Sequence, residues 1–114
     1  CIITFAMIET AKAVDNLGDI LSVEELDAVY IGPSDLSLTM GHAPSINPVD
    51  EVNDAISHIL QECKKTNIKA GMHCPNGKTV KERIEMGFYF CTIANDAAFI
   101  TQTGSSELAQ ARGQ

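Results

Sequence analysis

The sequence predicts an α/β fold in which four short parallel strands alternate with helices packed outside the sheet, and three observations lead there. Apolar runs at 2–8 (IITFAMI), 28–31 (AVYI), 68–73 (IKAGMH) and 88–94 (FYFCTIA) have strand length and read as strands buried on both faces. The stretches that follow each run carry apolar residues at helical spacing, giving β-α-β-α-β-α-β-α in units of roughly 25 to 40 residues, the pattern of a parallel sheet with right-handed crossovers. A small doubly wound domain and half of an eight-stranded (β/α)8 TIM barrel both fit that order. The third observation separates them. No glycine-rich phosphate loop follows any strand, and the chain enters its first strand at Cys1 without an initiator methionine or a polar lead-in, so the half-barrel, a fragment of a longer protein, is expected.

The first run ends at Glu9. Thr10 is the expected N-cap of a helix over 11–22, in which Val14, Leu17, Ile20 and Leu21 recur on one side. The polar connection around Glu24, Glu25 and Asp27 then leads into the strand at Ala28. Residues 28–41 (AVYIGPSDLSLTMG) place a strand, a Gly-Pro turn, an acid and a short helix in immediate succession. Two prolines, an asparagine and a serine make 42–48 a loop, and Asn47 with Pro48 is the expected start of the next helix. That helix carries Val49, Val52, Ile56, Ile59, Leu60 and Cys63 on one stripe, and Asn67 ends it in a left-handed position. A further helix over 76–86, with Val80 and Ile84 inward, stops at Gly87. The last strand is followed by Asn95 and Asp96 as caps, and by a helix expected to break near Gly104 and resume over 106–111.

A length of 114 residues, 45% of them hydrophobic and 20% charged, supports one modest globular domain with a core of its own. A net charge of −7 argues against nucleic acid and anionic membrane surfaces as partners. No apolar run is long enough to cross a bilayer, and no signal peptide is visible. Cys1, Cys63, Cys74 and Cys91 show no CxxC spacing and read as reduced core residues, which points to the cytoplasm.

Parallel strands bind ligands at their C-terminal ends, and two acids fall there. Glu9 ends the first strand and Asp35 follows the second, its neighbour in the sheet, so two carboxylates from staves about 4.8 Å apart can share a cation. Two oxygen ligands with open positions suit a hard ion such as Mg²⁺ or Mn²⁺. Pro33 leaves the amides of Ser34 and Asp35 as the first free donors of the following helix, a place that favours an anion. The alternatives are plain structural roles, with Glu9 capping the first helix and Asp35 capping the next. His73 and Cys74 at the third strand end read as a rim residue and a packed thiol, His42 as a loop histidine, and Met7 and Met72 as packing.

The strings MIET at 7–10, DNLGDILSVEELDAVYIGPSDLSLTMG at 15–41 and MGFYFCTIANDAAFI at 86–100 resemble the HpcH/HpaI aldolase family, and within it the metal-dependent pyruvate aldolases. The resemblance covers nearly the whole chain. It implies an eight-stranded barrel of which residues 1–114 form the C-terminal half, strands five to eight, with the N-terminal half absent. It implies a divalent cation, Mg²⁺ or Mn²⁺ with Co²⁺ as a further option, held by Glu9 and Asp35. Gly32, Pro33 and Ser34 are the implied substrate-binding turn, its amides on the pyruvate carboxylate, and the reaction is cleavage of a 4-hydroxy-2-oxo acid to pyruvate and an aldehyde. The family's arginine and histidine precede Cys1, so no catalytic residue beyond the metal ligands falls in this chain. Met7 stands where many members carry glutamine. The family's hexamer implies a homo-oligomer. Two rivals remain, an acyl-CoA or citryl lyase of the same superfamily and a non-catalytic half-barrel.

Overall fold

Four strands, β1 (Phe5–Ile8), β2 (Ala28–Ile31), β3 (Lys69–Cys74) and β4 (Phe90–Ile93), lie in sequence order and all parallel in a computed structural model that describes residues 2–114. The connections are helical: α1 (Ala11–Asp15) and α2 (Leu17–Leu21) after β1, α3 (Pro33–Thr39) and α4 (Asp50–Thr66) after β2, α5 (Gly77–Met86) after β3, and α6 (Asp96–Ala111) after β4. This is the α/β order expected. It is also the order of four consecutive staves of a (β/α)8 barrel.

The core sits on one side of the sheet only. Ile8, Val29, Ile31, Ala70, Met72 and Cys74 bury their side chains against Leu17, Leu21, Leu36 and the stripe of α4 formed by Val52, Ile56, Ile59, Leu60 and Cys63. The opposite face is concave. Phe5 on β1 and Phe90 on β4 belong to the two outermost strands, which a flat sheet would hold about 14 Å apart, yet their ring centroids are 5.8 Å apart. The sheet is therefore curled like part of a barrel wall. Burial of the strands on both faces is corrected accordingly: Ile3, Phe5, Met7 and Phe90 on the concave side remain 44 to 67% exposed.

Several boundaries differ from expectation for local reasons. The helix over 11–22 divides at Asn16, whose φ of −98° and ψ of 16° leave the helical region, two residues before the poor helix former Gly18. The start of α4 is capped by neither Asn47 nor Pro48. Val49 holds the N-cap position, and Asn53 closes the turn from inside by donating to Pro48 O at 2.7 Å. Ile84 is 47% exposed and not inward, whereas Val80 packs against the core. The last helix runs unbroken through Gly104 and buries none of its residues, so the single glycine costs too little to split it. Two end signals fall where expected, Asn67 at φ 60° and Gly87 at φ 110°, whereas Asn76 stands just outside α5 and caps it by accepting from Thr79 N at 2.9 Å. Cys63 and Cys74 are buried free thiols, Cys91 is a half-buried one, and Cys1 lies outside the described residues.

Candidate active site

Register brings the chemistry together. Ile8, Ile31, Met72 and Cys91 form one row facing the helices, so the next residue of each strand, Glu9, Gly32, His73 and Thr92, faces the concave side at the carboxyl end. There Glu9, Gly32, Pro33, Ser34, Asp35 and His73 line one open depression of about 330 Å³, closed at its edges by Met7, Tyr30, Ile46 and Asn95. A methyl group built on Gly32 would lie 3.1 Å from Glu9 Oε2 and 3.7 Å from Asp35 Oδ2. Both carboxylates thus converge on the space that only a glycine leaves free.

Neither acid fills the structural role that competes with this one. The cap of α1 is Thr10, whose hydroxyl accepts from Ala13 N at 3.0 Å, so Glu9 is not needed there. The N-cap of α3 is Gly32, and no side chain caps that helix, Asp35 included. The first backbone bond of α3 runs from Leu36 N to Gly32 O at 3.0 Å, which leaves the amides of Ser34 and Asp35 without a protein acceptor among the described residues. Thr39 ties the end of α3 to the start of α1. Its hydroxyl accepts from Ala11 N at 3.1 Å and lies 3.4 Å from Glu9 O, fixing the backbone that carries Glu9.

The donor set fits a hard divalent cation in kind, two carboxylates being the side-chain groups that converge over Gly32. Among the described residues no group of three or more His, Cys, Asp or Glu side chains gathers, so any cation here takes its remaining oxygens from beyond these two acids. No lysine or arginine lines the depression. The mouth is therefore acidic as this chain presents it.

A polar chain that the strand patterns hid runs beside the acids. Tyr30 hydrogen-bonds to Thr92, and Thr92 Oγ1 lies 2.9 Å from His73 Nδ1. Tyr30 is on β2 and Thr92 on β4, so the phenol crosses β3, which is possible because position 71 is glycine: a methyl there would lie 3.2 Å from Tyr30 Cδ2. Tyr30 and Thr92 were unreadable as site residues inside apolar runs, and the Gly71 gap between them was the one available signal. Cys74 points the other way, wholly buried, and burial with Cys91 alongside pushes its thiol up to about 12, too high for a nucleophile. Met72 packs in the core, whereas Met7 edges the depression. His42 pairs with Glu51 at 2.8 Å in its loop, outside the lining.

The sequence profile of the HpcH/HpaI aldolase/citrate lyase family matches residues 2–102. The chain belongs to that family. Among relatives of the HpcH/HpaI chain, a hydroxypyruvate/pyruvate aldolase of Rhizorhabdus wittichii is 37% identical over 112 residues, covering 97% of this chain and 45% of that protein. A 4-hydroxy-2-oxo-heptane-1,7-dioate aldolase of Klebsiella pneumoniae is 36% identical over 103 residues, covering 90% and 38%. The chain thus spans less than half the length of these curated relatives. The crystal structure of an HpcH/HpaI aldolase from Desulfitobacterium hafniense superposes with a TM-score of 0.91 at 22% identity over 99% of this chain and 44% of that one, a likeness of fold.

Proposed function

We propose that this chain is the C-terminal half, strands five to eight, of a barrel enzyme that cleaves a 4-hydroxy-2-oxo acid to pyruvate and an aldehyde. The observation that carries the reading is the convergence of Glu9 and Asp35 over Gly32, with neither acid used as a helix cap. In this reading the two carboxylates hold a divalent cation, Mg²⁺ or Mn²⁺, which when bound supplies a positive pole for the keto and carboxylate oxygens of the 2-oxo acid. The free amides of Ser34 and Asp35 receive the carboxylate, and Gly32 keeps the space between the acids open. Pro33 stiffens the turn that aims those amides. The sequence likeness to the two aldolases supports pyruvate and an aldehyde as partners.

Two further assignments accompany the reading. The exposed Phe99, Ile100 and Leu108 on α6 suit contact with another subunit of a homo-oligomer. Free buried thiols suit the reducing cytoplasm.

Calorimetric titration of the complete polypeptide with Mn²⁺, then with pyruvate, tests the site. Asp35→Asn is expected to lower metal affinity by more than the roughly 10- to 100-fold typical of an outer-sphere partner and to abolish metal-dependent pyruvate binding. An Asn variant that binds the metal and turns over normally overturns the assignment.

A further inference from the structure

We infer that His73 is a substrate-binding residue whose Nε2–H recognises a hydroxyl oxygen on the aldehyde half of the substrate, with Thr92 and Tyr30 as the residues that position it. The inference rests on the aldolase reading and adds to it the chemistry of the second product. Its basis is the hydrogen-bond chain that crosses the concave face. A phenol is a stronger donor than an aliphatic hydroxyl, so Tyr30 donates to Thr92. Thr92 then has its own proton free for an acceptor, and we assign it to His73 Nδ1, 2.9 Å away. The imidazole is thereby held as the Nε2–H tautomer, and its free edge is a donor.

That edge is open. Nε2 has no hydrogen-bond partner among the described residues, and no buried side-chain nitrogen or oxygen among them is unpaired, so the atom reaches the surface. His73 lines the same depression as Glu9 and Asp35, in the row that contains Glu9 and Gly32 and one strand beyond Gly32. Adjacent staves are about 4.8 Å apart, which is the scale of the few bonds separating the keto end of a hydroxy-oxo acid from the carbons beyond its scissile bond. With the keto acid over Gly32, the aldehyde half extends toward β3.

Charge selects between the oxygens that an N–H could bind. This chain lines the depression with no lysine or arginine that could pair a second carboxylate on the aldehyde. A neutral hydroxyl needs no such partner. The substrate class is therefore an aldehyde with a hydroxyl next to the carbonyl, in preference to an alkyl aldehyde of the same size.

The test uses the complete Mg²⁺-loaded polypeptide in the synthetic direction, with pyruvate and either glycolaldehyde or propionaldehyde, which differ by a hydroxyl in place of a methyl. The ratio of kcat/KM for the two is the readout. His73→Leu is expected to lower the glycolaldehyde-to-propionaldehyde ratio about tenfold or more, since a site built to bond a hydroxyl loses that discrimination with its donor. His73→Asn, which keeps an N–H, is expected to restore most of it, and Thr92→Val to lower it by a smaller factor. Long-range ¹H–¹⁵N spectra of the wild type are expected to show His73 as the Nε2–H tautomer. An unchanged ratio in His73→Leu, or the Nδ1–H tautomer, overturns the inference while leaving the metal site standing. Metal-dependent exchange of the pyruvate methyl protons, measured on the same wild-type sample, separates the two readings: its absence removes the aldolase assignment, and this inference with it.

Discussion

At the scale of single residues, Gly32 and the buried cysteines have the sharpest consequences. A methyl on Gly32 would meet Glu9 Oε2 at 3.1 Å and Glu9 Cβ at 3.3 Å, contacts tight enough that the carboxylate must swing away and the Cβ yield by a few tenths of an ångström. Gly32→Ala is therefore expected to fold normally and to weaken Mn²⁺ binding about tenfold by pushing one carboxylate aside, as titration calorimetry would read. The thiols predict a pH effect instead. Burial holds Cys63 up to about 11 and Cys74 up to about 12, against an ordinary value of 9.0. Between the ordinary and raised values the unfolded chain has lost these protons and the folded chain keeps them, so stability is full below the ordinary value and declines as pH rises through that window. Urea midpoints measured from pH 8 to 11 are expected to fall, and less so in Cys63→Ala relative to its own value at pH 8.

At the scale of elements, β3 is the stave on which the concave face depends. Gly71 lies between Tyr30 and Phe90 in one row, and a methyl there would approach Phe90 O to 2.9 Å, a backbone atom that cannot yield alone. Replacing a strand glycine by alanine ordinarily favours the strand, but here the clash reverses the sign. Gly71→Ala is expected to cost about 1 to 3 kcal/mol in a denaturant melt and to displace Tyr30 from Thr92. Beside it, Ala94 takes a φ of 46° as β4 ends, a left-handed position that turns the chain so that Asn95 edges the depression and caps α6 by accepting from Ala98 N at 2.8 Å. The cap was legible from Asn95 and Asp96 in sequence. The turn was not, because alanine gives no sign of a positive φ.

At the scale of the whole molecule, the chain is extended for its length. Its radius of gyration is 16.3 Å, against about 13 Å for a compact domain of this size, and its longest dimension is 56 Å. The concave apolar face and the helix α6, which buries nothing, account for the excess. Ile3, Phe5, Met7 and Phe90 form a contiguous exposed patch, and β1 and β4 are both open edges. The 114-residue chain on its own is accordingly expected to self-associate at micromolar concentration in sedimentation runs, and Phe5→Lys with Phe90→Lys to reduce that association.

Sequence alone determined the order of strands and helices, the helix ends at Asn67 and Gly87, and the pairing of Glu9 with Asp35 at neighbouring strand ends, because periodicity, caps and turn chemistry are local and are written residue by residue. Apolar strand runs were misread as buried on both sides, since hydrophobicity records that a face avoids water and not which partner covers it. The tertiary structure decided what depends on curvature and register. Curling of the sheet brings Phe5 to Phe90, and register sets His73 and Thr92 in the row of the acids. The Gly71 gap lets Tyr30 reach across a strand to Thr92. Those contacts join residues up to 85 positions apart, and only the geometry of neighbouring backbones fixes them.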